Sequence, residues 1–229
     1  VLRQRNEFLK IININKESDM NYLDILNDKY IGLSIVIYNF RRKYVDLVNK
    51  YIDDISLENK VSKDTPESFV WHIFSSITGL EGLKMIYTSN VSNLDNDMFK
   101  DKLKSNLLRE IQYKITFIGP NRDDFYFDLN GKNLSLYGSN GQIRSAVLAL
   151  KLAEVKLFTD VLSDTPILLL DDIFSELDID KRNKVIKYLD NDIQTIVTTT
   201  DIENIDKNVR NKANVYKIEN GKIISREII

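Results

Sequence analysis

The amino-acid sequence predicts an α/β protein in which a helical arm precedes a mixed lobe of strands and helices. Three observations lead to this fold class. Apolar residues recur at steps of three and four through residues 23–51, the pattern of a helix that packs along one stripe. Beyond residue 119, strand-like and helix-like segments alternate. Two short apolar runs in that region favour buried parallel strands.

Composition restricts the classes of function open to the chain. Its 229 residues include 32 Lys and Arg against 34 Asp and Glu, and 43% are hydrophobic, which is typical of a soluble folded protein. The sequence has neither an apolar run long enough for a membrane helix nor a signal peptide, so we expect a cytoplasmic protein. The lack of cysteine excludes thiolate chemistry, and the single histidine, His72, excludes a His-rich metal site.

Charge is unevenly distributed around the net value of −2. Residues 164–206 carry −7, whereas residues 207–229 carry +4. Because the chain has no general positive field, contact with DNA would need a local basic patch. The block 207–229 and the cluster Arg41, Arg42 and Lys43 are two such patches, and both are also typical of solvated surfaces. The acidic block is a candidate region for a metal ion.

The N-terminal repeat has the spacing of a heptad seam. Its members alternate in steps of three and four: Leu23, Leu26, Tyr30, Leu33, Ile37, Phe40, Tyr44, Leu47 and Tyr51. A repeat of 3.5 residues keeps a narrow apolar stripe facing a partner helix. Similar spacing at Leu2, Leu9 and Ile12, followed by a polar break at 13–19, favours an antiparallel arm. An amphipathic helix in an ordinary bundle is the alternative.

The elements between the arm and the lobe are less regular. A strand is predicted over residues 83–87 and a helix over 95–111, where Phe99, Leu103, Leu107 and Ile111 share one face. Trp71 and His72 precede them in a helix, and His72 has a structural role. The predicted domains are an arm over 1–112, with 63–112 ambiguous between arm and lobe, and a lobe over 113–229.

The lobe begins after Gly119-Pro120 with a strand over residues 125–129, a turn at Asn130-Gly131 and a second strand starting with Leu134 and Leu136. A small-residue loop, 138–141, opens a helix over 142–162 that is apolar nearly all round and is expected to be buried. The run 166–170 predicts a parallel strand covered on both faces. A helix over 178–190, a strand over 194–199 and a hairpin through Asn220-Gly221 follow.

Two carboxylates, Asp171 and Asp172, stand directly after the apolar run 166–170. Sheets of this type bind ligands beyond the carboxyl ends of their strands. Asp171 could hold Mg²⁺ through water, while Asp172 could orient or deprotonate an attacking water. The alternative is that the pair caps the next helix.

The second feature is the sequence Ser139-Asn140-Gly141-Gln142-Ile143-Arg144 at the start of the long helix. A helix N-terminus presents backbone N–H groups and a partial positive charge, and Gly141 lets an anion approach the backbone. Ser139, Gln142 and Arg144 add side-chain donors suited to phosphate oxygens. An ordinary N-cap is the alternative explanation.

The order of these features resembles the C-terminal half of an ABC-type (P-loop NTPase) ATPase head. The helix start corresponds to the signature loop, the acid-ended strand to Walker B, and Ser175-Glu176-Leu177-Asp178 to the D-loop. Within that superfamily the chain is similar to the RecF family of bacterial recombinational-repair ATPases. The similar stretches are Gly119-Pro120-Asn121-Arg122-Asp123-Asp124, Leu129-Asn130-Gly131, residues 139–144 and Thr198-Thr199-Thr200-Asp201.

The resemblance implies a role for each matching residue. Asp171 would bind Mg²⁺ and Asp172 would be the catalytic carboxylate. Four residues would contact the γ-phosphate of nucleotide bound to the opposite subunit: Ser139, Gly141, Gln142 and Arg144. Three D-loop residues would lie at the dimer junction: Ser175, Glu176 and Asp178. Thr200 occupies the position of a switch histidine, and Asn121 replaces the family's usual histidine beside Arg122, a candidate DNA or nucleotide contact.

The resemblance also implies a function in DNA repair, recombination, replication and the SOS response. Such a protein binds single- and double-stranded DNA and loads recombination machinery at gaps through ATP-dependent dimerisation. The implied cofactors are ATP and Mg²⁺, and the implied partners are DNA, RecR, RecO and a second RecF-like subunit, with no membrane. The alternatives are a non-catalytic coiled-coil interaction module and an SMC-like ATPase head.

A Walker A loop, G-x-x-x-x-G-K-[ST], is missing from the sequence. Its two Gly-Lys pairs, at residues 131–132 and 221–222, are followed by Asn133 and Ile223 rather than Ser or Thr. In ABC heads the phosphate-binding lobe precedes the arm, and this chain opens at Val1 within the arm-like pattern. We therefore expect a C-terminal fragment that neither binds ATP tightly nor hydrolyses it alone.

Overall fold

The computed structural model describes residues 1–57, 79–93, 95–162, 165–171, 193–200, 207–211 and 213–227, and the single positions 177, 181, 185, 202 and 205. Contacts divide the chain into two compact units. Unit 1 comprises Val1–Leu47 and Met85–Tyr126, and unit 2 comprises Val48–Lys84 and Phe127–Ile229. The division into arm and lobe at residue 112 stays a prediction.

Helices α1 (Leu2–Phe8), α2 (Glu17–Leu57) and α3 (Asn96–Tyr113) carry most of unit 1. The predicted polar break between the first two helices is confirmed, as is the predicted helix near 95–111. Asp95 is the N-cap of α3, and its carboxylate accepts the backbone N–H of Met98 at 2.8 Å. This cap satisfies one of the four N–H groups that a helix start leaves without a helical partner.

The buried face of α2 departs from the predicted heptad seam in its middle. Leu33, Ile37 and Phe40 are 53%, 40% and 73% exposed. The buried residues follow the 3.6-residue period of an α-helix: Leu23, Leu26, Asn27, Tyr30, Ile31, Ser34, Val45, Val48 and Ile52. A straight helix turns by about 20° per heptad relative to a 3.5-residue repeat, so the two stripes diverge along α2. The exposed seam residues Leu33, Ile37 and Phe40, together with Val36, form an apolar ridge.

Unit 1 contains an apolar core and, beside it, a buried polar network. The core consists of Tyr30, Ile31, Val91, Phe99, Leu103 and Ile118. In the network, the guanidinium of Arg5 donates to Glu110 at 2.7 Å, to Thr116 at 2.6 Å and to Asn27 at 2.8 Å. The side chains of Arg5 and Glu110 are both fully buried. Because a buried charge is tolerated only when it is paired and hydrogen-bonded, these partners are essential to the packing of α1 on α2 and α3.

Strands β1 (Leu83–Thr88), β2 (Asp124–Leu129) and β3 (Lys132–Asn133) form one sheet in that order. Strands β2 and β3 are antiparallel and are joined by Asn130-Gly131, which both have positive φ, as a type I′ turn requires. The strands predicted near 83–87 and 125–129 and the turn at 130–131 are confirmed.

The predicted strand beginning at Leu134 and Leu136 is wrong. These residues form a short helix, α4 (Leu134–Tyr137). The side chain of Asn133 accepts both the backbone N–H and the hydroxyl of Ser135, at 2.8 and 2.7 Å. An Asn side chain that bonds to the backbone two residues later starts a helix or turn in competition with a strand ladder.

Unit 2 contains helix α5 (Asn140–Leu162) and the parallel strands β4 (Leu168–Leu170) and β5 (Thr195–Val197). The helix buries one face through Ala149, Leu152 and Ala153 but exposes Val161, so its predicted burial is correct for one side. In β4, Leu168 and Leu170 are buried whereas Leu169 is 65% exposed. The prediction that this strand is covered on both faces is therefore wrong in this chain.

The described part of unit 2 ends with a short helix, α6 (Lys207–Arg210), and the antiparallel hairpin of β6 (Val215–Glu219) and β7 (Lys222–Glu227). Asn220 and Gly221 again have positive φ, which confirms the predicted turn. The helix predicted over 178–190, and Trp71 and His72, lie outside the described residues. None of the helices in the described ranges is long and apolar enough to cross a membrane.

Replacing Arg5 by Met should lower the free energy of unfolding by about 3 to 5 kcal/mol, because Glu110 would keep a buried charge without its partner. The measurement is urea denaturation followed by circular dichroism. Lys10→Met is the matched control, since Lys10 forms an exposed ion pair with Glu7, and its unfolding midpoint should not move. Equal midpoints for the two variants would contradict the importance of the buried pair.

Candidate nucleotide and nucleic-acid sites

Asp171 lies at the carboxyl end of β4, on the surface of unit 2. Thr198, just after β5, donates its hydroxyl to Oδ1 of Asp171 at 2.5 Å, and the backbone N–H of Thr198 donates to the carbonyl of Leu170 at 3.0 Å. The parallel pairing of Leu170 with Val197 brings these two strand ends together. The carboxylate is thus held in place by the neighbouring strand and remains open to solvent.

The oxygen atoms gathered at this strand end suit a hard cation such as Mg²⁺. A carboxylate and a hydroxyl are oxygen ligands, and Mg²⁺ usually keeps several waters besides one or two carboxylates. Within the described residues, no group of three or more acidic or histidine side chains could hold a metal ion. Asp172, Ser175, Glu176 and Asp178 lie outside the described residues.

The start of α5 is a capping box. The hydroxyl of Ser139 accepts the backbone N–H of Gln142 at 3.2 Å, while the side chain of Gln142 accepts the backbone N–H of Ser139 at 2.9 Å. Ser139, Gly141, Gln142 and Arg144 are all exposed. A Cβ added to Gly141 would meet only Ser139 Oγ, at 4.0 Å. The helix start is therefore both well ordered by its own side chains and accessible from solvent.

Thr200 and the candidate DNA-contact residues lie at the surface, and two of the latter have protein partners. Thr200, Arg42 and Lys43 are exposed. Arg41 is exposed as well, but its guanidinium donates to the carbonyl of Pro120 at 2.7 Å and lies 3.2 Å from Asp123. Arg122 donates Nε to the carbonyl of Thr116 at 3.3 Å. The site roles of all these residues stay predictions.

Side chains from several elements form hydrogen bonds with the loop that carries Asn121 and Arg122. The Tyr30 hydroxyl lies 2.8 Å from the Ile118 carbonyl and 2.6 Å from Oδ1 of Asn121. Asn121 in turn donates to the Thr116 carbonyl at 3.0 Å. The Tyr87 hydroxyl donates to the carboxylate of Asp123, whose side chain is 1% exposed. Asn121, which stands where the family usually has histidine, thus has a structural contact in this chain.

Sequence reasoning missed the charged pair that supports this loop. Arg5 lies between Leu2 and Leu9 on the apolar stripe of α1, and Glu110 follows Leu103 by two helical turns. In each helix a charge interrupts the apolar stripe. Because charged residues are almost never fully buried unless paired, that interruption is the signal that could have revealed the ion pair.

The sequence is similar over nearly its whole length to proteins described as DNA replication and repair protein RecF. The relative from Lactobacillus johnsonii is 34% identical over 227 residues, which cover 99% of this chain and 58% of the relative. The relative from Lachnospira eligens is 35% identical over 227 residues, covering 98% of this chain and 56% of the relative. For Staphylococcus aureus the identity is 32% over 225 residues, with coverage of 98% and 58%. No protein-family model matches the chain.

Solved structures agree with the sequence comparison. Two structures of the recombination mediator protein RecF of the RecFOR pathway, one with ATP and one with ATPrS, align with a TM-score of 0.72 at 26% identity. They cover 97% to 99% of this chain, and this chain covers 55% to 56% of theirs. This chain is a RecF homologue.

The RecF homologue corresponds to the C-terminal portion of its relatives and spans little more than half of their length. The comparisons confirm the fold class predicted from the sequence, a partial α/β head of the ABC ATPase type. The relatives themselves are described as DNA replication and repair proteins. RecF is an ATPase family, and its solved structures carry ATP, which supports ATP as the family's nucleotide.

Gly119→Ala should be much more destabilising than Gly131→Ala. Gly119 has a φ of 121°, and a Cβ there would collide with the Tyr30 hydroxyl that holds the loop. Gly131 has a φ of 82° but open space around it, so its substitution should cost only the left-handed backbone penalty, about 1 to 2 kcal/mol. Urea denaturation of the two variants measures the difference. Equal losses would mean that the loop moves freely away from Tyr30.

The buried hydroxyls of Tyr30 and Tyr87, which hold this loop, should make the folded protein less stable at alkaline pH. Burial raises the pKa of Tyr30 to about 12, and burial together with the Asp123 carboxylate raises the pKa of Tyr87 to about 12. An unfolded tyrosine loses its proton near pH 10, so between pH 10 and 12 the folded state holds more protons and stability falls as pH rises. Unfolding midpoints across this range test the effect. Tyr30→Phe and Tyr87→Phe should each flatten the decline, and a slope unchanged in both variants would contradict it.

Proposed function

We propose that this chain forms the C-terminal part of the ATPase head of a RecF-type DNA repair protein. In this proposal, ATP binds between two subunits and joins them, and dimerisation controls the loading of recombination machinery on gapped single- and double-stranded DNA. RecR and RecO are the proposed protein partners. The observation that carries the proposal is the similarity to RecF over 99% of this chain, together with an exposed acid-ended strand and an exposed helix start in one unit.

The strand end supports a role in binding magnesium and activating water. Asp171 is anchored by Thr198 and open to solvent, so it can bind the water shell of Mg²⁺ without a change in the strands. The ion would neutralise negative charge on the phosphates. Asp172, the next residue, is the proposed acceptor for the proton of the attacking water. Asp171 is the proposed metal residue.

The helix start supports a role in binding phosphate. The Ser139 hydroxyl accepts one hydrogen bond in the capping box, so its own hydrogen stays available to donate to a phosphate oxygen. The partial positive charge of α5 attracts an anion to the same place. Because Ser139, Gly141, Gln142 and Arg144 face solvent, they can reach nucleotide on a second subunit. Ser175, Glu176 and Asp178 are the proposed dimer contacts, and Thr200 takes the switch position.

Two further observations suggest that the chain acts together with an N-terminal portion. The sequence lacks the Gly-Lys-Ser/Thr of a Walker A loop, and the chain covers 58% of a RecF relative. In addition, Leu169 of β4 and Ile196 of β5 expose apolar side chains on a parallel pair of strands, a type of sheet that α/β proteins cover on both faces. We propose that the 229-residue chain alone does not hydrolyse ATP.

The apolar ridge of α2 supports a second candidate function, a non-catalytic interaction module. Leu33, Val36, Ile37 and Phe40 occupy positions i, i+3, i+4 and i+7 on the exposed side of the helix. This spacing is typical of helices that bind an apolar partner. In such a module the acids after β4 would only cap the next helix, so ATP hydrolysis would be absent from every assembly that contains the chain.

A complementation experiment tests the ATPase proposal. The chain is co-expressed with the N-terminal portion of a RecF relative that carries Walker A, as wild type, Asp172→Asn or Ser139→Ala. The wild type should hydrolyse ATP and each variant should not, because both residues are needed at each site. A random equal mixture of the two variants should recover about a quarter of the wild-type rate, since half of the dimers are mixed and each has one intact site of two.

The mixture separates a shared site from a site within one subunit. If each site lay in a single subunit, both variants would stay inactive in the mixture, and the proposed dimer would be wrong. If wild type and Asp172→Asn had the same background rate, the interaction module would be favoured. Lys151→Gln, an exposed substitution on α5 in an ion pair with Glu154, is the control and should leave the rate unchanged.

A further inference from the structure

Two arginines of unit 1 stack on the same aromatic ring. The guanidinium carbon of Arg109 lies 4.4 Å from the ring centre of Phe117, and that of Arg122 lies 5.2 Å from it. Tyr113 meets Phe117 edge to face, with 5.6 Å between the ring centres and 84° between the planes. We name these four side chains the arginine–aromatic cluster. The two guanidinium carbons can be no farther apart than the sum of their distances to the ring.

The cluster has unused hydrogen-bonding capacity. Among the described residues, Arg109 donates no hydrogen bond and forms no ion pair, and Arg122 uses only Nε, on the Thr116 carbonyl. The terminal nitrogens of both arginines are left for a ligand, and both side chains are exposed. A guanidinium stacked on a ring keeps its edge free, so it can still form a two-pronged bond with a phosphate.

The buried ion pair holds the backbone of Phe117, the residue whose ring carries the two arginines. The backbone N–H of Phe117 donates to one oxygen of Glu110 at 2.7 Å, and Arg5 donates to the other oxygen at 2.7 Å. The Phe117 carbonyl accepts the side chain of Asn90 at 2.9 Å. These bonds hold Phe117 in place before any ligand arrives, which lowers the entropy lost on binding.

The segment of sequence that carries the cluster is rich in positive charge although the whole chain is not. Residues 102–122 contain five Lys or Arg and a single carboxylate, Glu110, which is buried and paired with Arg5. The next carboxylate, on Asp123, is 1% exposed and bonded to Arg41 and Tyr87. No acid within residues 102–123 therefore offsets the charge of Arg109 and Arg122 at the surface.

We propose that the arginine–aromatic cluster binds single-stranded nucleic acid, with phosphates on Arg109 and Arg122 and an unpaired base on Tyr113. Because both guanidinium carbons lie within 5.2 Å of one ring centre, the two arginines can contact phosphates of the same strand. Tyr113 is 58% exposed, and aromatic side chains beside a positive surface stack with unpaired bases. The inference deepens the proposed function, because it locates a DNA contact of that protein, and it adds Arg109, Tyr113 and Phe117 to Arg122.

The test measures binding of a fluorescent oligothymidylate to the 229-residue chain by anisotropy at several salt concentrations. Arg109→Gln/Arg122→Gln should weaken binding at least about tenfold, and the slope of log K against log salt should fall by about 1.4, or about 0.7 per lost phosphate contact. Arg109→Lys/Arg122→Lys keeps the charge but loses the two-pronged guanidinium bonds and the stacking on Phe117. It should therefore recover less than half of the affinity that the Gln variant loses.

The control pair is Lys151→Gln/Lys156→Gln on α5, which removes the same charge from exposed side chains of unit 2. It should leave the affinity unchanged. Circular dichroism and urea midpoints of each variant confirm that the fold is kept. A loss of affinity equal to that of the arginine pair would mean that only net charge matters, and it would overturn the proposed site.

The remaining outcomes separate this inference from the proposed function. Unchanged binding by the Arg109→Gln/Arg122→Gln variant would overturn the proposed nucleic-acid site. ATP hydrolysis in the complementation experiment would still support the ATPase proposal. Tighter binding of duplex through the same arginines would overturn the single-strand assignment. Polyglutamate that competes as strongly as oligothymidylate would show a site for acidic protein instead. Loss of ATP hydrolysis alone, with the cluster still binding DNA, would remove the ATPase proposal only.

Discussion

The buried ion pair between Arg5 and Glu110 is the interaction on which the rest of unit 1 depends. It joins α1 to α3, and the additional bonds of Arg5 to Asn27 and Thr116 connect α2 and the loop after α3. A paired charge with no exposure has strict geometric demands, because any shift leaves it both desolvated and unpartnered. The position of the loop after α3 therefore depends on the Arg5–Glu110 pair. Glu110 fixes the backbone of Phe117, and Phe117 supports the two arginines at the surface.

Unit 2 positions its chemical groups in a different way, through backbone geometry. Asp171 owes its place to the parallel pairing of β4 with β5, and Ser139 owes its place to the first turn of α5. Both groups are held by hydrogen bonds to near neighbours and both remain exposed. Both groups are therefore accessible to a second surface. This agrees with a chain that covers little more than half of its RecF relatives and leaves apolar residues of β4 and β5 exposed.

Two errors of the sequence analysis have different physical causes. Apolar spacing reports which residues could face a partner, but it does not state whether the helix supercoils. Helix α2 buries Ser34 and exposes Leu33, which agrees with a period of 3.6 rather than 3.5 residues. Likewise, Leu134 and Leu136 alternate as a strand would, yet the Asn133 side chain supplies a competing local bond. In the first place the helical period, and in the second a local side-chain bond, outweighed the apolar pattern.

The sequence by itself determined the order of most elements, both Asn-Gly turns, the acid-ended strand and the Ser-x-Gly helix start, since these depend on neighbours close in the chain. It also carried the similarity to RecF. Only the tertiary structure decided that Arg5 meets Glu110, 105 positions away, and that Arg109 and Arg122 share the ring of Phe117. Such pairs leave little trace in sequence spacing because a charge becomes buried only when folding brings it a partner from a distant part of the chain.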